Sequence, residues 1–266
     1  MPLIYYSQSK GEMDMSYQNI FKRYEIKYLI TKEQKETIEQ LMSGYMEADK
    51  YGRSTICNIY FDTPNYLLIR RSTDKPMYKE KLRVRSYGTA DKESTVFVEL
   101  KKKYDSVVYK RRIDMKEKTA MKFLCERRKK PESQIGREID YCFERYEGLQ
   151  PKVFISYERE AFYSKTDKNF RITFDEKILW RDYDLSLCSG AYGSELLKKD
   201  EALMEIKTAG AIPLWLTRFL SENKIYKTSF SKYGTAYAEI LKRPSTTETN
   251  QILFLTREYA DIPVAV

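Results

Sequence analysis

Between residues 21 and 243 the short apolar runs of this chain alternate with polar residues at a period of two. Successive strand residues point to opposite faces, so such runs predict β-strands with one apolar face. Phe21–Ile30, Thr55–Asp62, Lys81–Tyr87, Thr95–Tyr104, Val107–Asp114, Lys152–Ser164 and Asn169–Asp175 read this way, with shorter pieces at Ile178–Tyr183 and Ala202–Lys207. Asp105-Ser106 and Thr166–Lys168 are short enough for hairpin turns. Helical stretches intervene. Thr31 caps one that runs to about Met46, and Lys116–Tyr146 is charged and helical with a break at Pro131. Leu214–Glu222 and Phe230–Lys242 close the chain as helices.

Residues 1–20 are polar and irregular and read as an N-terminal arm; residues 244–266 read as a C-terminal tail. The span between them is expected to be one domain. Its strands connect mostly as antiparallel neighbours, and about eight such strands can close around side chains or one ligand. The expected class is therefore α+β: an antiparallel eight-stranded β-barrel, forming a tunnel, with helices packed around it.

The polar faces of the strands change this picture. Phe21–Ile30 places Arg23, Glu25 and Lys27 opposite Tyr24, Ile26 and Tyr28. Arg83 and Arg85 share a face opposite Leu82 and Val84. Glu99, Lys101 and Lys103 lie opposite Val96, Val98 and Leu100. Lys110 and Arg112 share a face, and Arg159 is in line with Tyr157. Arg171, Thr173 and Asp175 oppose Ile172 and Phe174, while Glu205 and Lys207 oppose Met204 and Ile206. A wet face of an antiparallel sheet is the simple account of any one strand. Solvated faces, however, mix Thr, Ser, Gln, Glu and Lys, whereas here Arg and Lys recur strand after strand. Arginine carries a planar fork that matches phosphate oxygens. Rolled inward, such a face needs a polyanion and water to be tolerable. Glu25, Glu99 and Glu205 are then the inward carboxylates available to hold a divalent metal on a triphosphate. Each can instead pair with a neighbouring Arg or Lys.

Composition narrows the chemistry. Among 266 residues, 48 Lys and Arg face 39 Asp and Glu, a formal net charge of +9 that favours anionic partners. There is no His, which excludes a phosphohistidine, a Ser-His-Asp triad and any His metal ligand. A metal must sit on oxygen ligands, which suits Mn²⁺ or Mg²⁺. The four Cys form no CxxC pair and read as reduced thiols of a cytoplasmic protein. No signal peptide or transmembrane segment is legible.

The segments RYEIKY from Arg23, LRVR from Leu82, FVELK from Phe97, YEREAF from Tyr157, RITFD from Arg171, MEIK from Met204 and FSKY from Phe230 occur in an order that resembles the VTC domain. This is the polyphosphate polymerase domain of the triphosphate tunnel metalloenzyme (CYTH-like) superfamily. The resemblance spans about Phe21 to Lys242. It implies binding of a nucleoside triphosphate, ATP above others, with a divalent ion, and transfer of the γ-phosphoryl group to a polyphosphate chain.

It also implies that Lys27, Arg83, Arg85, Arg159 and Arg171 act on the transferring phosphate, with Lys101, Lys110, Ser231 and Lys232 as further phosphate contacts. Glu205 would hold the metal. Arg112 and Lys207 join the phosphate contacts by the face they share. The superfamily's hydrolases carry E-x-E-x-K on the first strand; here Arg23 replaces the first Glu, adding a phosphate contact and removing a carboxylate. Hydrolysis of tripolyphosphate or nucleoside triphosphates, and plain polyanion binding, are the alternatives. Nucleic acid is not an expected partner, since no such motif occurs; a membrane-protein partner for the product is left open.

Overall fold

In a computed structural model the described residues are 24–74, 76–105 and 107–243. Arg23 and both expected terminal segments lie outside them. The chain order begins β1 (Tyr24–Thr31), α1 (Lys32–Met42), β2 (Met46–Ala48), β3 (Ser54–Asp62), α2 (Leu67–Thr73), β4 (Tyr78–Tyr87), β5 (Thr95–Tyr104) and β6 (Val107–Lys116). It continues with α3 (Glu117–Glu126), α4 (Gln134–Arg145), β7 (Gln150–Ser164), β8 (Arg171–Arg181), β9 (Ser194–Glu195) and β10 (Glu201–Thr208). It closes with α5 (Leu214–Glu222), β11 (Lys227–Thr228) and α6 (Lys232–Leu241).

The strands form one eleven-stranded sheet with the path β11-β1-β10-β8-β7-β3-β4-β5-β6, β2 and β9 joining at the sides. Every pairing is antiparallel. The expected closed barrel of eight strands is therefore corrected: among the described residues the ladder is open between β6 and β11. The eight long strands are those anticipated, but β8 runs unbroken where two strands were expected. Three short strands were not anticipated. The helix expected to reach Met46 stops at Met42, because the Gly44 turn lets Met46–Ala48 pair with β7 instead.

The open sheet is nonetheless strongly curled. From β1 to β5 is six steps along the ladder, about 29 Å if flat. Yet Lys101 of β5 approaches Glu25 of β1 to 3.9 Å. A side-chain ion pair spans the seam that no backbone ladder closes.

Apolar burial fixes which face curls inward. Leu82, Val84, Val96, Val98 and Leu100 pack outward with Ala120 and Phe123 of α3 and Ile139 of α4. Tyr28, Ile30, Ile172, Phe174, Met204 and Ile206 pack outward with Ile38 of α1 and Leu216 and Phe219 of α5. Their alternate neighbours, the charged positions, are left to face inward. A third cluster lies on the inner side: Tyr60, Ile155, Tyr157, Trp180 and Leu203 meet Ile69 of α2 and Tyr233 and Ala236 of α6. Helices thus fill part of the inner side as well as the outside. No helix among the described residues is long and apolar enough to cross a membrane.

Asp62 ties this inner plug together. Fully buried, it accepts the backbone N–H groups of Leu68 (2.8 Å) and Ile69 (3.0 Å) in α2 and the hydroxyl of Tyr233 (2.9 Å) in α6. It also accepts from Thr63 N–H at 2.8 Å, so removing it orphans four buried donors. Asp62→Ala should cost roughly 2–4 kcal/mol of stability in urea unfolding, a large effect for one carboxylate; a change below about 0.5 kcal/mol would show the plug is held otherwise.

Candidate functional site

Register builds the site. Tyr60 of β3 lies opposite Arg83 of β4, Arg83 opposite Glu99 of β5, and Glu99 opposite Arg112 of β6. One step along, Lys81, Lys101 and Lys110 face one another across the same three strands. Glu99 is 2% exposed and is surrounded: Arg83 at 2.6 Å, Lys110 at 2.7 Å, Arg112 at 3.6 Å and Arg85 at 3.9 Å. Burial alone would raise its pKa, but Arg83, Arg85 and Lys110 outweigh burial and hold it far below the usual carboxylate range. In the lysine row Lys110 shares Glu99 and Lys101 reaches Glu25, and among the described residues Lys81 is given no carboxylate. Burial, with the charges of Lys101 and Lys27, pushes Lys81 down to about 8 even though Tyr60 opposes the shift.

The opposite wall repeats the pattern. Lys27 of β1 faces Glu205 of β10, and Glu205 faces Thr173 of β8. Arg159 of β7 grips the fully buried Asp175 with two bonds of 2.5 and 2.6 Å. Lys232 reaches Asp175 at 2.5 Å and Glu205 at 3.3 Å. Glu205 also receives Arg159 at 3.3 Å, Lys27 at 3.6 Å and Lys207 at 3.9 Å. Burial works against its charge, but Lys232, Arg159 and Lys27 keep it well below the ordinary range. Lys207 stands opposite Arg171, and burial with those two arginines, Arg159 and Arg171, lowers its pKa to about 8 against the pull of Glu205 and Glu25.

The start of α6 is part of the site. Ser231 caps the helix by accepting from Gly234 N–H, and its hydroxyl also receives Lys81 at 3.4 Å. Lys27 donates to Phe230 O at 3.1 Å. Lys232 opens the helix, where a cation opposes the macrodipole. Asp175 and Glu205 offset that cost and raise its pKa against burial.

The structure thus gathers Lys27, Arg83, Arg85, Lys101, Lys110, Arg112, Arg159, Lys207, Ser231 and Lys232 with Glu25, Glu99 and Glu205 on one inner face. Arg171 stands at its margin, on the Tyr163 ring and 3.8 Å from Asp49. The carboxylates do not converge. Glu99 lies on one wall, and Glu205 and Asp175 on the other. Glu25 lies between them, 3.3 Å from Lys27. No group of three potential ligands able to hold a metal occurs among the described residues. Sequence reasoning placed Asp175 on the inward face but did not assign it a role, and it missed Lys81. Lys81 shares the Arg83 and Arg85 alternation, so its signal was present; the hairpin turn at Thr166–Lys168 likewise sets Arg159 opposite Asp175, whereas the approach of Lys232 to Asp175 had no local signal.

The charged strands, in this order, have a counterpart among known families. The profile of the VTC domain matches residues 22–241. This chain belongs to the VTC domain family. No protein of curated function matches it. In shape this VTC domain is similar to a proposed adenylate cyclase of Bacillus halodurans, at 16% identity and a TM-score of 0.49 over 78% of this chain and 92% of that one. It is also similar to a proposed adenylyl cyclase of Hippeastrum, described as having a dominant triphosphatase activity, at 14% identity and 0.46 over 81% and 96%. A proposed adenylate cyclase of Vibrio parahaemolyticus aligns at 13% identity and 0.43 over 85% and 100%.

The depressed carboxylates set an acid limit. The unfolded chain protonates Glu near 4.5, while folded Glu99 and Glu205 stay ionised further down. Their contribution is therefore complete above that value and is lost as pH falls below it. In urea unfolding this contribution of the wild type should be the same at pH 7 and about 5.5 and be lost from about 5 down to about 3.5. Glu99→Gln should be weaker at pH 7 and lose less over that interval. An equally steep fall in the variant would remove Glu99 from the account.

Proposed function

We propose that this VTC domain is a metal-dependent phosphotransferase that moves the γ-phosphoryl group of a nucleoside triphosphate, ATP first, onto a polyphosphate chain. One observation carries the reading. Around Glu25, Glu99, Asp175 and Glu205 stand eleven Lys and Arg side chains: Lys27, Lys81, Arg83, Arg85, Lys101, Lys110, Arg112, Arg159, Arg171, Lys207 and Lys232. Like charges set directly across a ladder are destabilising, so the face is unfinished without a polyanion.

The donor set suits a hard cation. Burial and the nearby charge of Glu205 work against the Glu25 carboxylate, but Lys101, Lys27 and Lys207 hold its pKa below the ordinary range, so both carboxylates are ionised near one another; Mg²⁺ is commonly held by one or two carboxylates with substrate phosphates completing the shell. Glu205, with Glu25, would hold Mg²⁺ or Mn²⁺, and the bound ion would offset the negative charge of the triphosphate. Glu99, enclosed by four cations, serves instead to space Arg83, Lys110 and Arg112. The arginines hold the γ-phosphate as charge spreads over its oxygens. The terminal oxygen of the acceptor chain is already anionic, so its attack on the γ-phosphorus needs no general base. The bond from that phosphorus to the bridging oxygen breaks, and ADP leaves carrying that oxygen.

Hydrolysis of tripolyphosphate or nucleoside triphosphates is the second reading. It is favoured by the apolar plug of α2 and α6 on the inner face, which suits a short substrate. Incubation with ATP and Mn²⁺ or Mg²⁺, with products resolved by size, separates the two. Polymerisation yields ADP and a ladder of chains; free phosphate in step with ADP, with no chain product, establishes the hydrolase. Under either reading Arg83→Ala and Arg85→Ala should each lower the rate roughly 10²-fold with the fold retained. Glu205→Gln should abolish turnover, and full activity in that variant would exclude it as the metal ligand.

A further inference from the structure

We infer that Tyr60 is a positioning residue for Arg83: its phenol oxygen, with Glu99, fixes the guanidinium so that one N–H on each terminal nitrogen is left for a phosphate. This rests on the reading of Arg83 as a phosphate contact. Arginine has five N–H donors. In this site Nε and Nη2 of Arg83 are committed to Glu99, at 2.8 and 2.6 Å. Nη1 donates to the Tyr60 hydroxyl at 3.0 Å. Two donors remain, one on Nη1 and one on Nη2, which is the pair that grips two phosphate oxygens at once. Without the phenol, only Glu99 on one side sets the plane of the guanidinium.

The neighbouring strand is built for this task. Tyr60 is the ladder partner of Arg83, and Asn58 is the ladder partner of Arg85. Asn58 accepts from Arg85 Nε at 2.9 Å while its own amide donates to Ile155 O at 3.0 Å. Tyr157 of β7 accepts from Arg85 Nη2 at 3.2 Å. Each clamp arginine thus has an amide or phenol oxygen beside it that orients the guanidinium, for Arg83 in addition to the Glu99 carboxylate. Tyr60 is itself immobilised, with its ring stacked on Tyr233 of α6 at 4.9 Å. The plug helix therefore bears on the clamp through one aromatic contact.

The arrangement has a spectroscopic signature. The groups around the phenol are Lys81, Arg83 and Arg85 from β4, Tyr157 from β7, Tyr233 from α6, and Glu99 of β5 across Arg83. Burial would raise the pKa of Tyr60, but Arg83, Lys81 and Arg85 bring it down to about 8. A bound polyanion would cancel part of that positive field and move the phenol back upward.

The test is Tyr60→Phe, which keeps the ring and its stacking and removes only the oxygen. Tripolyphosphate binding is measured by calorimetry, and tyrosinate absorbance is followed against pH. The variant should keep its thermal midpoint and bind roughly tenfold more weakly, the loss expected for one hydrogen bond to a charged group. In the difference between wild type and variant, the Tyr60 phenol should ionise near pH 8 and shift upward with tripolyphosphate; Tyr87, lowered beside Arg112, is common to both and cancels. If the wild type binds and the variant binds equally tightly, Tyr60 is only structural and the inference is wrong. If no wild-type tyrosine ionises early or responds to tripolyphosphate, the inference fails whether or not the variant folds. If the wild type itself does not bind tripolyphosphate, the functional reading fails first.

Discussion

Lys81, Lys101 and Lys110 stand side by side on three neighbouring strands, and the sheet must hold them there without a carboxylate opposite each. Bringing such charges together costs free energy that rises as water is excluded. The rest of the structure manages that cost. Glu99 offsets part of it for four cations, and Asp175 with Glu205 does so for four on the facing wall, Arg159, Lys232, Lys27 and Lys207, while Arg171 pairs with Asp49. Uncharged acceptors, Asn58, Tyr60 and Tyr157, orient arginines without cancelling them. What remains is an uncompensated positive surface that only a bound polyanion completes.

The apolar side supplies the energy that makes this tolerable. Both outer walls of the curled sheet are covered by helices, and the strand residues beneath them, such as Leu82, Val98, Leu100, Ile172 and Met204, are fully buried. Because strand side chains alternate, each outward Val or Leu commits its neighbour to the interior. Packing on the outside therefore dictates the direction of the arginines inside. The open seam between β6 and β11 is the exception, since it is crossed by the ion pair of Lys101 in β5 with Glu25 in β1 rather than by backbone bonds.

Much of this was legible in the sequence, for a physical reason. Arg83-Val84-Arg85 and Glu99-Leu100-Lys101 state their faces by alternation, and a one-residue slip would put the charges in the core. Nothing local states that α6 enters the inner side, because its apolar stripe is compatible with packing on either side of the sheet. Nor does alternation reveal whether the last ladder closes, since closure depends on the curl accumulated over nine successive strands. Asp175 lay in plain view on the charged face. Its role depends on Arg159, its partner across the predicted hairpin, and on Lys232, 57 residues away, which only the fold brings to it.

The most direct test of the central claim is the thermal midpoint of the wild-type chain with saturating tripolyphosphate, beside single-stranded DNA at equal phosphate concentration. An inner face unfinished without a phosphate chain should gain stability as ligand is added, following the mass-action dependence on concentration. The account predicts a large saturable rise with tripolyphosphate and little with DNA, whose bases and sugars do not fit the lysine row. No rise with tripolyphosphate, or an equal rise with DNA, would contradict it.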